Sequence, residues 1–190
     1  IEIAYLNKKI KAQLNTIGNQ SYFSALSASA VGFYFEVPVN HIKTALREYE
    51  HDSGKRNNLK NINGVWIIDD TYNSNPGSVI PALENMKAFK VRGRKFVVLG
   101  DMLELGKSSK KEHREIGKMV RKLKFENLYT YGRDSFETFL AAKGIKNNYH
   151  FSDKRTLTEF LKLNLKKGDA ALIKGSRSMK MEEVSEGLSE

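Results

Sequence analysis

Apolar and polar positions change period along this chain, and the changes mark its parts. The opening residues, Ile1-Glu2-Ile3-Ala4-Tyr5-Leu6, alternate as a strand does. Residues 21–35, rich in Ser, Ala and aromatic side chains, predict a buried helix, with the run Phe33-Tyr34-Phe35 in the core. A second helix is expected from about Pro38 to Tyr49, because Ile42, Ala45, Leu46 and Tyr49 fall on one face. Residues 50–58 are polar throughout and form the best boundary, which divides the chain into 1–52 and 53–190.

Beyond the boundary the period alternates between two and 3.6. Leu59–Ile62 and Val65–Ile68 flank Asn63-Gly64, the favoured dipeptide of a tight hairpin. Helices are expected from Pro76 to Ala88, Lys110 to Leu123, Ser135 to Lys143, Thr156 to Leu165, and from about Met179. Strands are expected at Lys95–Gly100, Asn127–Gly132, Tyr149–Phe151 and Ala170–Gly175. Strands separated by helices of this length imply parallel βαβ units, so the fold class is α/β with a mostly parallel sheet and flanking helices.

Ligands of such open sheets bind at the carboxyl ends of the strands, and four strand ends here carry unusual polar sets. They are Asp69-Asp70-Thr71-Tyr72-Asn73-Ser74-Asn75-Pro76, Gly100-Asp101-Met102-Leu103-Glu104-Leu105-Gly106, Gly132-Arg133-Asp134 and Lys174-Gly175-Ser176-Arg177. Adjacent parallel strands would bring carboxylates, amides and cations to one rim, as a nucleotide or charged substrate requires. Each segment also has a plain structural reading. Asx side chains before a proline cap helices, and Lys-Gly-Ser-Arg can be a cap with solvated cations. His113, between Glu112 and Glu115 on a helix, is expected at the surface.

Composition narrows the chemistry. The 190 residues contain no cysteine, which excludes disulfides, thiolate metal sites and a cysteine nucleophile. No stretch approaches the length of a membrane span, and the first residues are not expected to act as a signal peptide. The formal charge is +10, with +2 in residues 1–56 and +8 after them. Without a nucleic-acid motif, that excess suits a cleft for phosphates and carboxylates, together with ordinary solvated faces. Gly100 to Ser108 imitates a phosphate-cradling loop, but five residues separate its glycines where four are needed. Asp101 and Glu104 would also repel a triphosphate.

Taken in order, Asp69–Ser78, Val98–Gly106 with His113, and Lys174–Arg177 with Met181-Glu182 resemble the carboxyl-terminal part of the Mur ligases. Within that family they are most similar to the branch that joins D-alanyl-D-alanine to a UDP-N-acetylmuramoyl-tripeptide. The resemblance implies that the later residues form a Rossmann-like domain and that 1–52 are a helical remnant of a central ATP-binding domain. It implies a cytoplasmic enzyme of peptidoglycan synthesis that uses ATP and Mg2+ and acts through an acyl phosphate. It implies no nucleic-acid or membrane partner.

By the same resemblance Arg56, Asp69, Asp70 and Tyr72 are nucleotide-binding candidates. Asn73, Asn75, Lys174, Ser176 and Arg177 are substrate-binding candidates. No catalytic or metal-ligating residue is expected in this chain. The phosphate loop, the catalytic carboxylates and the UDP-sugar domain would precede Ile1, so the isolated chain is expected to be inactive and to work with the rest of a parent ligase. One stretch departs from the family: where its pattern has His and two Asn, this chain has Gln20, Ser21 and Ser24. That departure motivates an alternative, a diverged Mur-ligase-like domain acting as a binding or partner module.

Overall fold

The computed structural model describes residues 1–6, 8–14, 19–49 and 58–189. Two compact units are present, Ile1–Ser53 and Gly54–Glu190. Arg56 and nearly all of the polar boundary lie outside the described residues; Asn58 opens a strand.

The first unit begins with the antiparallel pair β1 (Glu2–Tyr5) and β2 (Lys8–Lys11), followed by α1 (Asn19–Tyr34) and α2 (Val39–Glu48). Its small core gathers Ile3, Ile10, Ala25, Phe33, Ile42 and Leu46. Residues 21–35 do not form a buried helix. Ala25, Ser29 and Phe33, spaced four apart, make one narrow buried stripe, and Tyr22, Phe23, Leu26 and Val31 are exposed. The aromatic run splits likewise: Phe33 stacks on Tyr5 at 5.0 Å, whereas Tyr34 and Phe35 are 76% and 71% exposed. Successive helical residues point about 100° apart, so three consecutive aromatics cannot share one face.

The second unit is a six-stranded sheet in the order β3-β4-β8-β5-β6-β7. Its strands are β3 (Asn58–Ile62), β4 (Val65–Asp70), β5 (Lys95–Gly100), β6 (Asn127–Tyr131), β7 (Asn147–Phe151) and β8 (Ala170–Lys174). Only β3 and β4 pair antiparallel, around a turn where Asn63 and Gly64 both take positive φ. That is the geometry expected of an Asn-Gly hairpin. The other four pairings are parallel, so the α/β fold class read from the sequence holds.

Side-chain alternation in the strands builds two cores. Ile68, Val97, Leu99, Leu128 and Leu172 point to the face covered by α3 (Pro76–Ala88) and α4 (Ser109–Lys122). Ile67, Phe96, Val98, Tyr129, Ala171 and Ile173 point to the face covered by α6 (Lys154–Asn164) and α7 (Glu182–Gly187). A short helix, α5 (Phe136–Ala141), packs against α4. Because both faces are covered, the central strands are apolar runs with no polar alternate, as in a buried parallel sheet. The last helix starts later than expected. A short 3-10 turn at Arg177–Met179 ends at Lys180, whose left-handed backbone separates it from α7.

The α4–α5 contact depends on a missing side chain. A Cβ on Gly117 would stand 2.3 Å from the Thr138 carbonyl oxygen and 2.9 Å from the Ala141 Cβ. Gly117→Ala improves helix propensity by about 1 kcal/mol, yet overpacking of such a contact costs about 1–3 kcal/mol. We expect net destabilisation, measured as a lowered urea midpoint; an unchanged or raised midpoint would show that the helices shift apart without cost.

Candidate functional site

The four polar segments do meet at one end of the sheet, because β4, β8, β5 and β6 are consecutive parallel neighbours. The centre of this rim is an ion pair. Asp70 and Lys174 are register partners on β4 and β8, and the Lys174 Nζ donates to Asp70 Oδ2 at 2.7 Å. The same ammonium donates to the Asn73 carbonyl oxygen at 2.7 Å. Lys174 is only 1% exposed, so its charge is held inside the fold.

Asp69 points to the other face. Its Oδ1 accepts from the Thr71 hydroxyl at 2.7 Å, and its Oδ2 accepts from the Lys60 Nζ at 3.2 Å and from the Ser185 hydroxyl. Both oxygens are therefore engaged within the domain, and α7 is tied to the end of β4. Ser176 ties three loops: its hydroxyl accepts from the Leu103 N–H at 2.8 Å and donates to the Ser74 carbonyl at 3.2 Å, while its N–H donates to the Asp101 carbonyl at 2.9 Å.

Asn75 is the N-cap of α3. Its Oδ1 accepts from the Ser78 N–H at 3.0 Å and the Ser78 hydroxyl accepts from the Asn75 N–H at 3.1 Å, a reciprocal capping box ahead of Pro76. The Asn73 Oδ1 accepts from the N–H of Ser74, so its amide group stays at the surface. Tyr72 is also exposed. Arg177 is exposed, and its Nη1 donates to Glu182 Oε1 at 2.8 Å. Of the sequence candidates, Tyr72, Asn73, Asn75 and Arg177 thus present surface to solvent, with Asn75 capping a helix. Asp69, Asp70, Lys174 and Ser176 hold the rim from within. Arg56 lies outside the described residues.

Several rim residues were not candidates. His113 is buried, contrary to the surface position expected from its acidic flanks. The Met102 N–H donates to its Nε2 at 3.0 Å, so the ring carries its proton on Nδ1, which donates to the Ser109 carbonyl oxygen at 2.8 Å. Its face of α4 is set by Ile116, Gly117 and Val120, which are buried with it, and that spacing was the available signal. Asp101 accepts from the Ser135 N–H at 2.7 Å, so a carboxylate that repels phosphate here fastens the start of α5. Met181 is fully buried between the ends of β5 and β8. A Cβ on Gly175 would lie 2.6 Å, and one on Gly100 3.0 Å, from its side chain.

Most cations of this rim are paired. Lys60, Arg133, Lys154, Lys174 and Arg177 all pair with carboxylates here. Among the described residues no three His, Cys, Asp or Glu are grouped so as to hold a metal ion by themselves.

Residues 55–177 match the family model described as Mur ligase, glutamate ligase domain. The UDP-N-acetylmuramoyl-tripeptide–D-alanyl-D-alanine ligase of Bacillus subtilis strain 168 is 32% identical over 92% of this chain and 39% of its own length. The ligase of the same name from Buchnera aphidicola subsp. Acyrthosiphon pisum is 36% identical over 95% of this chain and 39% of its own. The crystal structure of MurF ligase from Thermotoga maritima in complex with ADP superposes with a TM-score of 0.84 at 26% identity. It covers 99% of this chain and 42% of that one. The chain therefore spans about two fifths of the length of the relatives it matches.

Two outcomes test the rim. Lys174→Met alone removes the Lys174 ammonium from a buried carboxylate and is expected to cost about 3–5 kcal/mol. Combining it with Asp70→Leu should restore much of that loss; simple additivity in a denaturant double-mutant cycle would show that the pair is not coupled. The second concerns Asp134, whose carboxyl is held below the usual carboxylate range first by the Ser109 hydroxyl and then by Arg133. A depressed folded pKa stabilises fully above the unfolded value near 4, and that stability is lost as pH falls through the folded pKa. Ser109→Ala should flatten the decline in stability below about pH 4, read from melting temperatures across that range.

Proposed function

Because this chain belongs to the Mur ligase family, we propose that it is the carboxyl-terminal part of an ATP-dependent ligase. That enzyme adds D-alanyl-D-alanine to UDP-N-acetylmuramoyl-tripeptide in the cytoplasmic synthesis of peptidoglycan precursor. The observation that carries the reading is the alignment of more than nine-tenths of the chain with two enzymes of that one name. In this reading unit one is the end of the central ATP-binding domain and the second unit is the carboxyl-terminal domain. The exposed aromatic and aliphatic side chains of α1 support the first assignment, since a helix with Tyr22, Phe23, Leu26 and Val31 exposed suits a larger domain.

ATP, when bound, supplies the phosphoryl group that activates the tripeptide carboxylate. The dipeptide amine then attacks the acyl carbon, phosphate leaves, and an amide forms. This chain's contribution is positioning and charge. Arg177, steadied by Glu182, offers a guanidinium fork suited to the terminal carboxylate of the dipeptide. Tyr72 and Asn73 stand on the loop held by Lys174 and offer an aromatic face and an amide to the nucleotide or the peptide. Asp69, Asp70, Lys174 and Ser176 act as positioning residues that fix the loop, and Asn75 sets its exit into α3. Arg56, outside the described residues, remains a proposed nucleotide-binding residue. Magnesium, in this reading, is held mainly by the rest of the parent ligase.

Assayed by itself, the chain is expected to form no amide bond. Placed in an intact ligase, Arg177→Ala should raise KM for D-alanyl-D-alanine roughly 10–100-fold, the worth of a charge-assisted hydrogen bond. Unchanged KM and kcat would remove Arg177 from the site. The substitutions at Gln20, Ser21 and Ser24 favour the second reading, a partner module that has lost nucleotide use; calorimetry of the intact parent with ATP decides, and tight binding defeats it.

A further inference from the structure

The positive charge of this chain is collected at the end of the sheet opposite the rim. Four connections run from the last turn of a helix to the first residue of a strand: 85–95, 119–127, 138–147 and 161–170. Together they hold thirteen Lys or Arg against two carboxylates, Glu126 and Asp169. That excess of eleven exceeds the net charge of the whole chain, +10. In a parallel sheet these connections all lie at the amino ends of the strands. The pole is therefore removed from the candidate site by the length of a six-residue strand, about 20 Å.

Hydrogen bonds link the connections to one another. Arg121 Nη1 donates to the Lys143 carbonyl at 3.4 Å, Lys87 Nζ to the Lys124 carbonyl at 3.3 Å, and Lys95 Nζ to the Lys87 carbonyl. Arg94 donates to the Asn164 carbonyl and to Asp169. The acceptors are mostly backbone carbonyls, which leave the charge uncompensated. Among the described residues Arg94 is the one cation of the thirteen in an ion pair, whereas at the rim Lys60, Arg133, Lys154, Lys174 and Arg177 are each paired. Crowding is felt locally: burial, and then the neighbouring Lys87, lower the pKa of Lys95.

Capping of helix dipoles does not account for this. That effect is confined to the last turn, and nine of the thirteen cations lie beyond it. Ten of the thirteen are lysines, compact charges suited to a diffuse anionic field, not to forked recognition. The aromatic residues of these segments, Phe89, Phe125 and Phe139, are at least partly buried, so no stacking platform for nucleic-acid bases is offered. The exposed large apolar groups are aliphatic, Leu140 and, at 82% exposed, Leu163, which follows Lys162 and precedes Lys166 and Lys167 by three and four residues.

We propose that this pole docks the domain on an anionic phospholipid surface, with the lysines against the headgroups and Leu163 at the acyl boundary. The sequence reading expected no membrane partner. No helix among the described residues is long and apolar enough to cross a membrane, and peripheral docking needs none. The inference does not depend on the proposed ligase activity.

Cosedimentation of this chain with phosphatidylcholine vesicles, with and without phosphatidylglycerol, tests it. Binding is expected to the anionic vesicles alone and to fall at least tenfold between 50 and 300 mM salt, about the range over which screening tightens. Lys90→Glu, Lys122→Glu, Lys146→Glu and Lys166→Glu combined should lower binding more than a hundredfold, since each lysine near such a surface counts for about a factor of five. These four side chains are exposed, and circular dichroism checks that the variant folds; the salt titration of the unmodified chain tests the same claim if it does not. Leu163→Ser should weaken binding several-fold without abolishing it. Equal binding to neutral vesicles, undiminished binding by the quadruple variant, or binding to duplex DNA without binding to vesicles would overturn the proposal.

Discussion

An ammonium group held inside a parallel sheet organises one end of this domain. Lys174 ends the central strand β8, where apolar residues precede it and both faces are covered. A charge in that place is tolerable only if it is paired and fully hydrogen-bonded, because desolvation otherwise exceeds any gain. Asp70 supplies the counter-charge from the neighbouring strand, and the Asn73 carbonyl accepts a further bond. The pair thereby fixes how β4 leaves the sheet. The direction of the following loop, with Tyr72 and Asn73 at the surface, follows from that bond.

The remaining rim contacts extend the same constraint. Ser176 binds the loops after β4 and β5 through one hydroxyl, and His113 fixes the β5 loop through the Met102 amide. Met181 fills the space that two glycines leave at the ends of β5 and β8. Every one of these groups is buried and satisfied within the domain. The result is a stiff frame carrying a few exposed groups, which is the arrangement that places a ligand accurately without moving on binding.

Charge is divided along the strands. At the carboxyl ends Lys60, Arg133, Lys154, Lys174 and Arg177 are each paired with a carboxylate, so the field there is shaped largely by particular pairs. At the amino ends the cations accumulate against backbone carbonyls and add to a broad positive potential. One parallel sheet can present two electrostatic characters because its loops fall into two sets at opposite ends, and each set can vary without disturbing the other.

The sequence by itself determined most elements of the second unit, the α/β class and the four strand ends that carry polar sets. Hydrophobic period and turn residues are local signals, and Asn63-Gly64 or the Asn75-Pro76 cap needs no distant partner. It also carried the family resemblance, through motifs spread over the second unit. Only the tertiary structure decided which motif residues face outward. Asp69 and Asp70 are adjacent in the chain, yet strand alternation sends one toward Ser185 of α7 and the other toward Lys174. His113 has acidic flanks and a buried side chain because helix phase, not neighbouring residues, sets its direction. The charge was counted in the sequence but not placed, because a sum over residues does not show that helix-to-strand connections gather at one pole.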